Sequence, residues 1–272
     1  MKKKFLVLII LGISFYNAGF SQQSRTRESF DEGWKFFLGD DANAKNSGYD
    51  DASWRILNLP HDWSIEGPFD EKNPAGIGGG ALPGGTGWYR KSFTIPASSK
   101  GKNVFIDFDG VYRLSEVWIN GHDLGIRPNG YISFRYDLTS YLNYGGQKNE
   151  IAVRVDNSQQ PNSRWYSGSG IYRHVWLETT NKTFVDLWGT FITTSKLSSE
   201  AATITINIKV KNSNASNANA DVKTILYDAD SKVVGNIVSP VKSSANSAIE
   251  TTQKMNVTSP LLWSVDRLKE GA

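Results

Sequence analysis

The 272-residue chain has no cysteine, only three histidines, and no apolar run long enough to cross a bilayer. The missing cysteine excludes disulfides, thiolate metal sites and a lipid-modified cysteine at a processing site, so stability has to come from burial. His61, His122 and His174 are far apart and show no paired-ligand spacing, which gives no support for a zinc site. No glycine-rich phosphate loop precedes a helical pattern, and no Gly-x-Ser-x-Gly nucleophile elbow occurs. Beyond Lys2, Lys3 and Lys4, clusters of basic residues are absent as well. The formal charge of +3 comes from Lys2, Lys3 and Lys4, and removing these from 30 basic residues leaves 27 against 27 acidic ones. A near-neutral chain of that kind offers no electrostatic footprint for nucleic acid.

The three lysines open a leader. They precede an apolar run from Phe5 to Phe15 and the small residues Gly19 and Ser21, the pattern of a secretory signal cut after Ser21. The run falls short of the roughly 20 residues a spanning helix needs, so the expectation is an exported protein, periplasmic or extracellular, with no membrane span. Aromatic residues make up 12% of the chain, with nine Trp, and amphipathic helical runs are scarce. That balance predicts an all-β protein with rings available to flat ligands such as sugars.

Strand signals fill residues 30–177. In VFIDFDGV, Val104, Ile106 and Phe108 alternate with Phe105, Asp107 and Asp109. Asn120-Gly121, between Val117-Trp118-Ile119 and Leu124, predicts a tight two-residue hairpin. WYRKSF, EIAVRVDN and HVWLET supply further strands, a density that indicates a sandwich or jelly roll. A second unit starts near Asn181. There Ile204, Ile206, Ile208 and Val210 share one face, SNASNANA reads as a polar loop, and DVKTILYDADSKVV reads as a hairpin turning at Asp228–Ser231. Residues 73–87, NPAGIGGGALPGGTG, are too rich in Gly and Pro for a regular element, and read either as a flexible surface loop or as a loop beside a ligand.

Two stretches combine rings with charge. LPHDWSIEGPF brings His61, Asp62 and Trp63 together, and RWYSGSGIYRHVWL, from Arg164 to Leu177, packs four aromatics and a Ser/Gly turn between strands. A pyranose stacks its C–H groups on rings and takes bidentate polar partners at its hydroxyls. The alternative is that Trp63 and Trp165 are core, with Asp62 and Arg164 an ion pair; breaking such a buried pair would cost about 3–5 kcal/mol, whereas ligand-facing residues would be nearly silent in stability. Asp107, Asp109, Asp123, Glu150, Asp156, Glu66 and Asp70 form no evident pair for acid hydrolysis of a glycosidic bond. Asp107 and Asp109 read as solvated or turn-binding residues.

The succession FDEGWKFFLGD, YDDASWRILNLPHDWSIEGPF, GGGALPGGTGWYRKSF, VFIDFDGVYRLSEVWINGHDLG, KNEIAVRVDN and SRWYSGSGIYRHVWL resembles the N-terminal sugar-binding domain of glycoside hydrolase family 2, β-galactosidase type, over about residues 27–180. From Thr183 the chain resembles the immunoglobulin-like domain that follows in that family. The resemblance implies a jelly-roll β-sandwich at 22–181 and an incomplete immunoglobulin-like sandwich at 182–272, where RLKEGA stands in place of an apolar strand after WSVD. It further implies a retaining (β/α)₈ barrel with two glutamates, which the remaining residues are too few to build. Glu150 belongs to a jelly-roll strand and is not a catalytic glutamate. By resemblance, Asp62 and Arg164 contact the sugar, in this case a β-galactoside or related glycoside. Relatives with an Asp at the second position use it to hold sodium, and Arg164 cannot ligate a cation, so neither metal nor cofactor is expected. The reading is therefore the non-catalytic portion of a family 2 glycosidase, inactive alone and open to association through its second domain. A free-standing carbohydrate-binding module and a structural surface domain are the alternatives.

Overall fold

The computed structural model describes residues 24–163, 165–263 and 265; the expected leader, Arg164 and the RLKEGA tail lie outside them. Every regular element among the described residues is a strand or a short 3-10 turn, so no helix is long and apolar enough to cross a membrane.

The first ten strands are β1 (Arg25–Ser29), β2 (Trp34–Leu38), β3 (Arg55–Leu57), β4 (Gly85–Thr94) and β5 (Asn103–Phe108), then β6 (Ser115–Ile119), β7 (His122–Arg127), β8 (Phe134–Asp137), β9 (Lys148–Asn157) and β10 (Val175–Thr180). They form a six-stranded antiparallel sheet ordered β3-β2-β4-β9-β6-β7 and a four-stranded one ordered β1-β10-β5-β8. The two inner faces close on one core, in which Val104, Ile106 and Phe108 of β5 meet Ile151, Val153 and Val155 of β9. This is the jelly-roll sandwich, and the period-two pattern places each side chain as expected. Asn120 and Gly121 turn between β6 and β7 with φ of 50° and 81°, as a mirror-image hairpin turn requires.

Both outer faces of the sandwich are also covered, which the alternation did not show. On the six-stranded sheet, Trp54, Trp88 and Trp118 form a second apolar layer with Ala44 and Ala152, Trp88 and Trp118 stacking at 5.4 Å. On the four-stranded sheet Asp107 is buried, and both of its oxygens accept from Arg135, at 2.6 and 2.7 Å. The expectation of a solvated Asp107 fails because Arg135 stands opposite it in the β5/β8 register. Glu150 lies in β9 as expected, ion-paired with Lys148 and Arg90.

The second unit comprises β11 (Thr183–Ser195), β12 (Ala201–Asn212), β13 (Ala218–Tyr227), β14 (Val233–Ser243) and β15 (Ser247–Thr258). A β11-β12-β15 sheet faces the β13-β14 pair over a core of Ile206, Ile208, Val210, Val222, Val241 and Met255. The hairpin at Asp228–Ser231 forms as expected, with Asp228 Oδ1 accepting from the backbone of Asp230 and Lys232. Two loop readings need correction. Ala218-Asn219-Ala220 of SNASNANA enters β13, because the strand pairs with β14 to its first residue. Gly85-Thr86-Gly87 likewise opens β4, since the lack of a side chain on Gly87 admits Phe36 and Trp63, each 2.9 Å from where a Cβ would stand.

Candidate functional site

The site residues are held at one end of the sandwich by a short ladder between two loops. His61 N–H donates to Ile171 O at 2.8 Å and Trp63 N–H to Ser169 O at 3.0 Å. Asp62, between them, is extended and caps the 3-10 turn Trp63–Ile65, its Oδ1 accepting from Ser64 N–H at 2.9 Å. The same oxygen accepts from Ser169 N–H at 2.7 Å, and Oδ2 accepts from the Tyr166 hydroxyl. Asp62 therefore ties the 61–66 loop to the 166–171 loop. Beneath it the Ser64 and Ser169 hydroxyls touch at 2.6 Å, and Asn157 Nδ2 donates to Ser169 Oγ at 2.7 Å.

The glycines of SGSG are explained by close approach as much as by turning. A Cβ on Gly168, whose φ is ordinary, would stand 2.3 Å from Asp62 Oδ2. Gly170 has a φ of 126°, and its Cβ would meet Tyr89 Oη at 2.3 Å. Ile171 and Val175 are the buried end of this stretch. Trp176 lies on the outer face of the sheet, with its indole N–H on Asp109 at 2.9 Å and Arg27 stacked over it at 4.5 Å.

The open question about the two tryptophans divides. Trp63 is core, 2% exposed, lying on Phe36 with its indole N–H on Gly84 O. Trp165 is 75% exposed. Arg164, and with it the alternative of an Asp62–Arg164 ion pair, lies outside the described residues.

What does assemble beside Asp62 is a cleft of about 190 Å³ lined by Tyr112, Tyr131, Tyr166, Tyr172, Ser167 and Gly168. Tyr112 is buried, donates to Asn162 Oδ1 at 3.0 Å and stands edge-on to the exposed ring of Tyr131 at 5.3 Å. Tyr172 donates to Gly130 O at 2.9 Å. Burial, and then the hydrogen bond to Asp62, push the Tyr166 hydroxyl above the ordinary phenol range, so it stays a neutral donor. Tyr112, Tyr131 and Tyr172 escaped sequence reasoning, because each comes from a different loop. A shared signal existed in DGVYR, NGYIS and SGIYR, where each Tyr lies one or two residues after a glycine.

Behind the cleft His61 is buried, with Nδ1 2.6 Å from Tyr89 Oη and Nε2 2.8 Å from Arg55 and 3.2 Å from Glu66. Arginine can only donate, and burial is the largest influence on the ring, lowering its pKa against the pull of Glu66. The neutral ring accepts at Nε2 and donates from Nδ1 to Tyr89. Burial alone would raise the Glu66 carboxyl, but hydrogen bonding to the Arg55 guanidinium outweighs it and holds it low.

Rings, phenolic hydroxyls and one carboxylate oxygen form a surface suited to a polyol. Asp62 is the single carboxylate among the described residues lining this cleft, so the paired carboxyl groups of glycoside hydrolysis do not face one another here. Nor does any group of three His, Asp or Glu among the described residues stand close enough to share a metal ion.

Comparison with known proteins bears on the same segments. The family description "Glycosyl hydrolases family 2, sugar binding domain" matches residues 28–181, and "Glycosyl hydrolases family 2" matches 183–268. The β-galactosidase BoGH2A of Bacteroides ovatus is 49% identical over 242 residues, covering 89% of this chain and 28% of that protein. A putative β-glucuronidase of Formosa agariphila is 38% identical over 258 residues, covering 95% of this chain and 24% of its own length. Among solved structures, a glycosyl hydrolase family 2 member from Bacteroides cellulosilyticus superposes with a TM-score of 0.84 at 37% identity, over 88% of this chain and 32% of the other. The chain thus spans about a quarter to a third of the proteins it matches.

Proposed function

Because the chain belongs to glycoside hydrolase family 2 and corresponds to the N-terminal part of its enzymes, we propose that it supplies sugar contacts to a retaining β-galactosidase-type active site whose catalytic carboxylates are not among these residues. The observation that carries this reading is the meeting of Asp62 with Tyr166 and the tyrosine cleft at the SGSG turn. Asp62 Oδ1 is fully used by two backbone N–H groups, whereas Oδ2 has one bonded donor and room for a second from a sugar hydroxyl. Arg164, two residues before Tyr166, is the second proposed contact. The 49% identity to a β-galactosidase favours a galactoside as the glycone. The leader at residues 1–21 supports export, which amino-terminal sequencing of the secreted product would test by locating the cut after Ser21.

The functional test is a chimaera in which this chain replaces the matching segment of the Bacteroides ovatus β-galactosidase. Asp62→Ala and Arg164→Ala should each lower kcat/KM on aryl β-galactosides by about 10- to 1,000-fold, since hydrogen bonds to charged groups are lost. The chain by itself should give no turnover. Unchanged kinetics in both variants, or hydrolysis by the isolated chain that a mutation within it abolishes, would overturn the reading.

A further inference from the structure

A second cleft, which shares no lining residue with the first, lies between the outer face of the β1-β10-β5-β8 sheet and an irregularity in β11. The β11/β12 register breaks between Val185 and Thr190, and at the break Trp188 takes a φ of 50° and stands 74% exposed. A large side chain in the left-handed region is uncommon and is held there by its surroundings. Here Gly189 packs so closely that a Cβ would lie 2.8 Å from Asp186 O and 2.9 Å from Lys209 O. The indole of Trp188 thus stands outward beside a cleft of about 420 Å³.

The opposite wall is polar and rigid. Arg135 is clamped by Asp107 and lies 3.0 Å from Glu178, while Arg25 reaches the same Glu178 oxygen at 3.5 Å and donates to Val185 O across the cleft. These ion-paired groups form the floor, where Glu178 Oε1 is buried without a hydrogen-bond partner among the described residues. Above them Arg27, half-exposed and stacked on Trp176, stands with Asp109 and Asp186 at the rim. An exposed indole sharing a cleft with guanidinium and carboxylate groups is the chemistry that recognises a pyranose, with stacking on one side and hydrogen bonds on the other. Three arginines against Asp107, Asp109, Glu178 and Asp186 leave no cationic excess, which disfavours uronic acids.

We propose that this cleft is a second carbohydrate site, binding one ring of a neutral oligosaccharide on Trp188 with Arg27, Asp109 and Asp186 as polar partners. The test is calorimetric titration of the whole chain with galactotetraose and, separately, with an oligogalacturonide of equal length, in wild type and in Asp62→Ala, which removes the carboxylate of the first cleft. Saturable binding of the neutral sugar should survive in Asp62→Ala, weaken at least about tenfold in Trp188→Gly, and weaken less in Trp188→Phe. Glycine tolerates the positive φ, so the bulge should keep its shape. Arg27→Gln, on the other wall, should give a similar loss without touching β11. No binding at millimolar sugar, affinity unchanged in Trp188→Gly and Arg27→Gln, or tighter binding of the uronide would each overturn the proposal. Concentration-dependent self-association that Trp188→Gly abolishes, with no sugar bound, would assign this face to protein contact and overturn it equally.

Discussion

The two sandwiches of this chain use the same strand grammar but bury very different amounts. The first encloses large aromatic side chains such as Trp34, Tyr89 and Phe108, and adds a tryptophan layer and a buried ion-pair network on its outer faces. The second has two thinner sheets over six buried residues, none of them aromatic, and leaves Leu261, Trp263 and Val265 largely exposed after its last strand. Hydrophobic stabilisation scales with apolar area removed from water, so the first unit should be much the more stable. The site geometry follows from this difference. Asp62 and the tyrosines sit on loops anchored in the heavily packed sandwich, whereas Trp188 hangs from a bulge of the lightly packed one.

The largest expected effect comes from cutting the larger core. Phe108→Ala should cost the first unit about 3–5 kcal/mol, and Ile208→Ala should cost the second about 2–5 kcal/mol. Denaturant unfolding followed by tryptophan fluorescence and far-ultraviolet dichroism should show two steps, the earlier moved only by Ile208→Ala and the later only by Phe108→Ala. Limited proteolysis should correspondingly trim residues beyond about 181 first. A single transition shifted by both substitutions would mean that Arg25 and the Phe105–Phe184 contact weld the units into one cooperative body.

A smaller effect separates anchoring from ligand contact at Asp62. Its carboxylate accepts from two backbone N–H groups and a phenol, so Asp62→Ala should destabilise the first unit by about 1–3 kcal/mol, the cost of leaving buried donors unpaired. This replaces the expectation that a ligand-facing residue would be silent in stability. Tyr166→Phe removes one of these bonds and should cost about 0.5–1.5 kcal/mol. If the later transition is unmoved in both variants, the tie between the two loops is not structural, and any loss of activity would belong to sugar contact alone.

Much of this was legible in sequence where structure repeats with period two or where a turn demands particular residues: β5, β9, β12 and the Asn120-Gly121 hairpin are of that kind. The outer faces were not, because alternation shows that a strand has two faces without showing what covers each. Asp107 looked solvated until the β5/β8 register put Arg135 opposite it. Trp88 and Trp118 pack together only because β4, β9 and β6 are neighbours in the sheet. The cleft was half legible. Asp62 and the SGSG turn could be singled out, but Tyr112, Tyr131 and Tyr172 are brought together by chain crossings that no local spacing records.

The smallest expected effect is a pH dependence confined to the first sandwich. His61 is buried between Tyr89, Arg55 and Glu66, and burial above all lowers its pKa, so the folded state holds its proton less tightly than the unfolded chain, where the value is about 6.5. The unfolded state therefore binds more protons as the medium is acidified. The contribution of the neutral ring is fully present above about pH 6.5 and declines as pH falls below it. Glu66, held low by Arg55 despite its burial, adds a loss of the same sign at more acid pH, as pH falls below its unfolded value. The second sandwich has no histidine, since all three lie before residue 175. Unfolding midpoints measured from pH 7.5 down to 5 should therefore fall for the later transition while the earlier stays flat across the His61 window. His61→Gln, which keeps a donor and an acceptor but cannot titrate, should flatten the later transition as well. A slope that survives in His61→Gln would detach the pH dependence from the loop that carries Asp62.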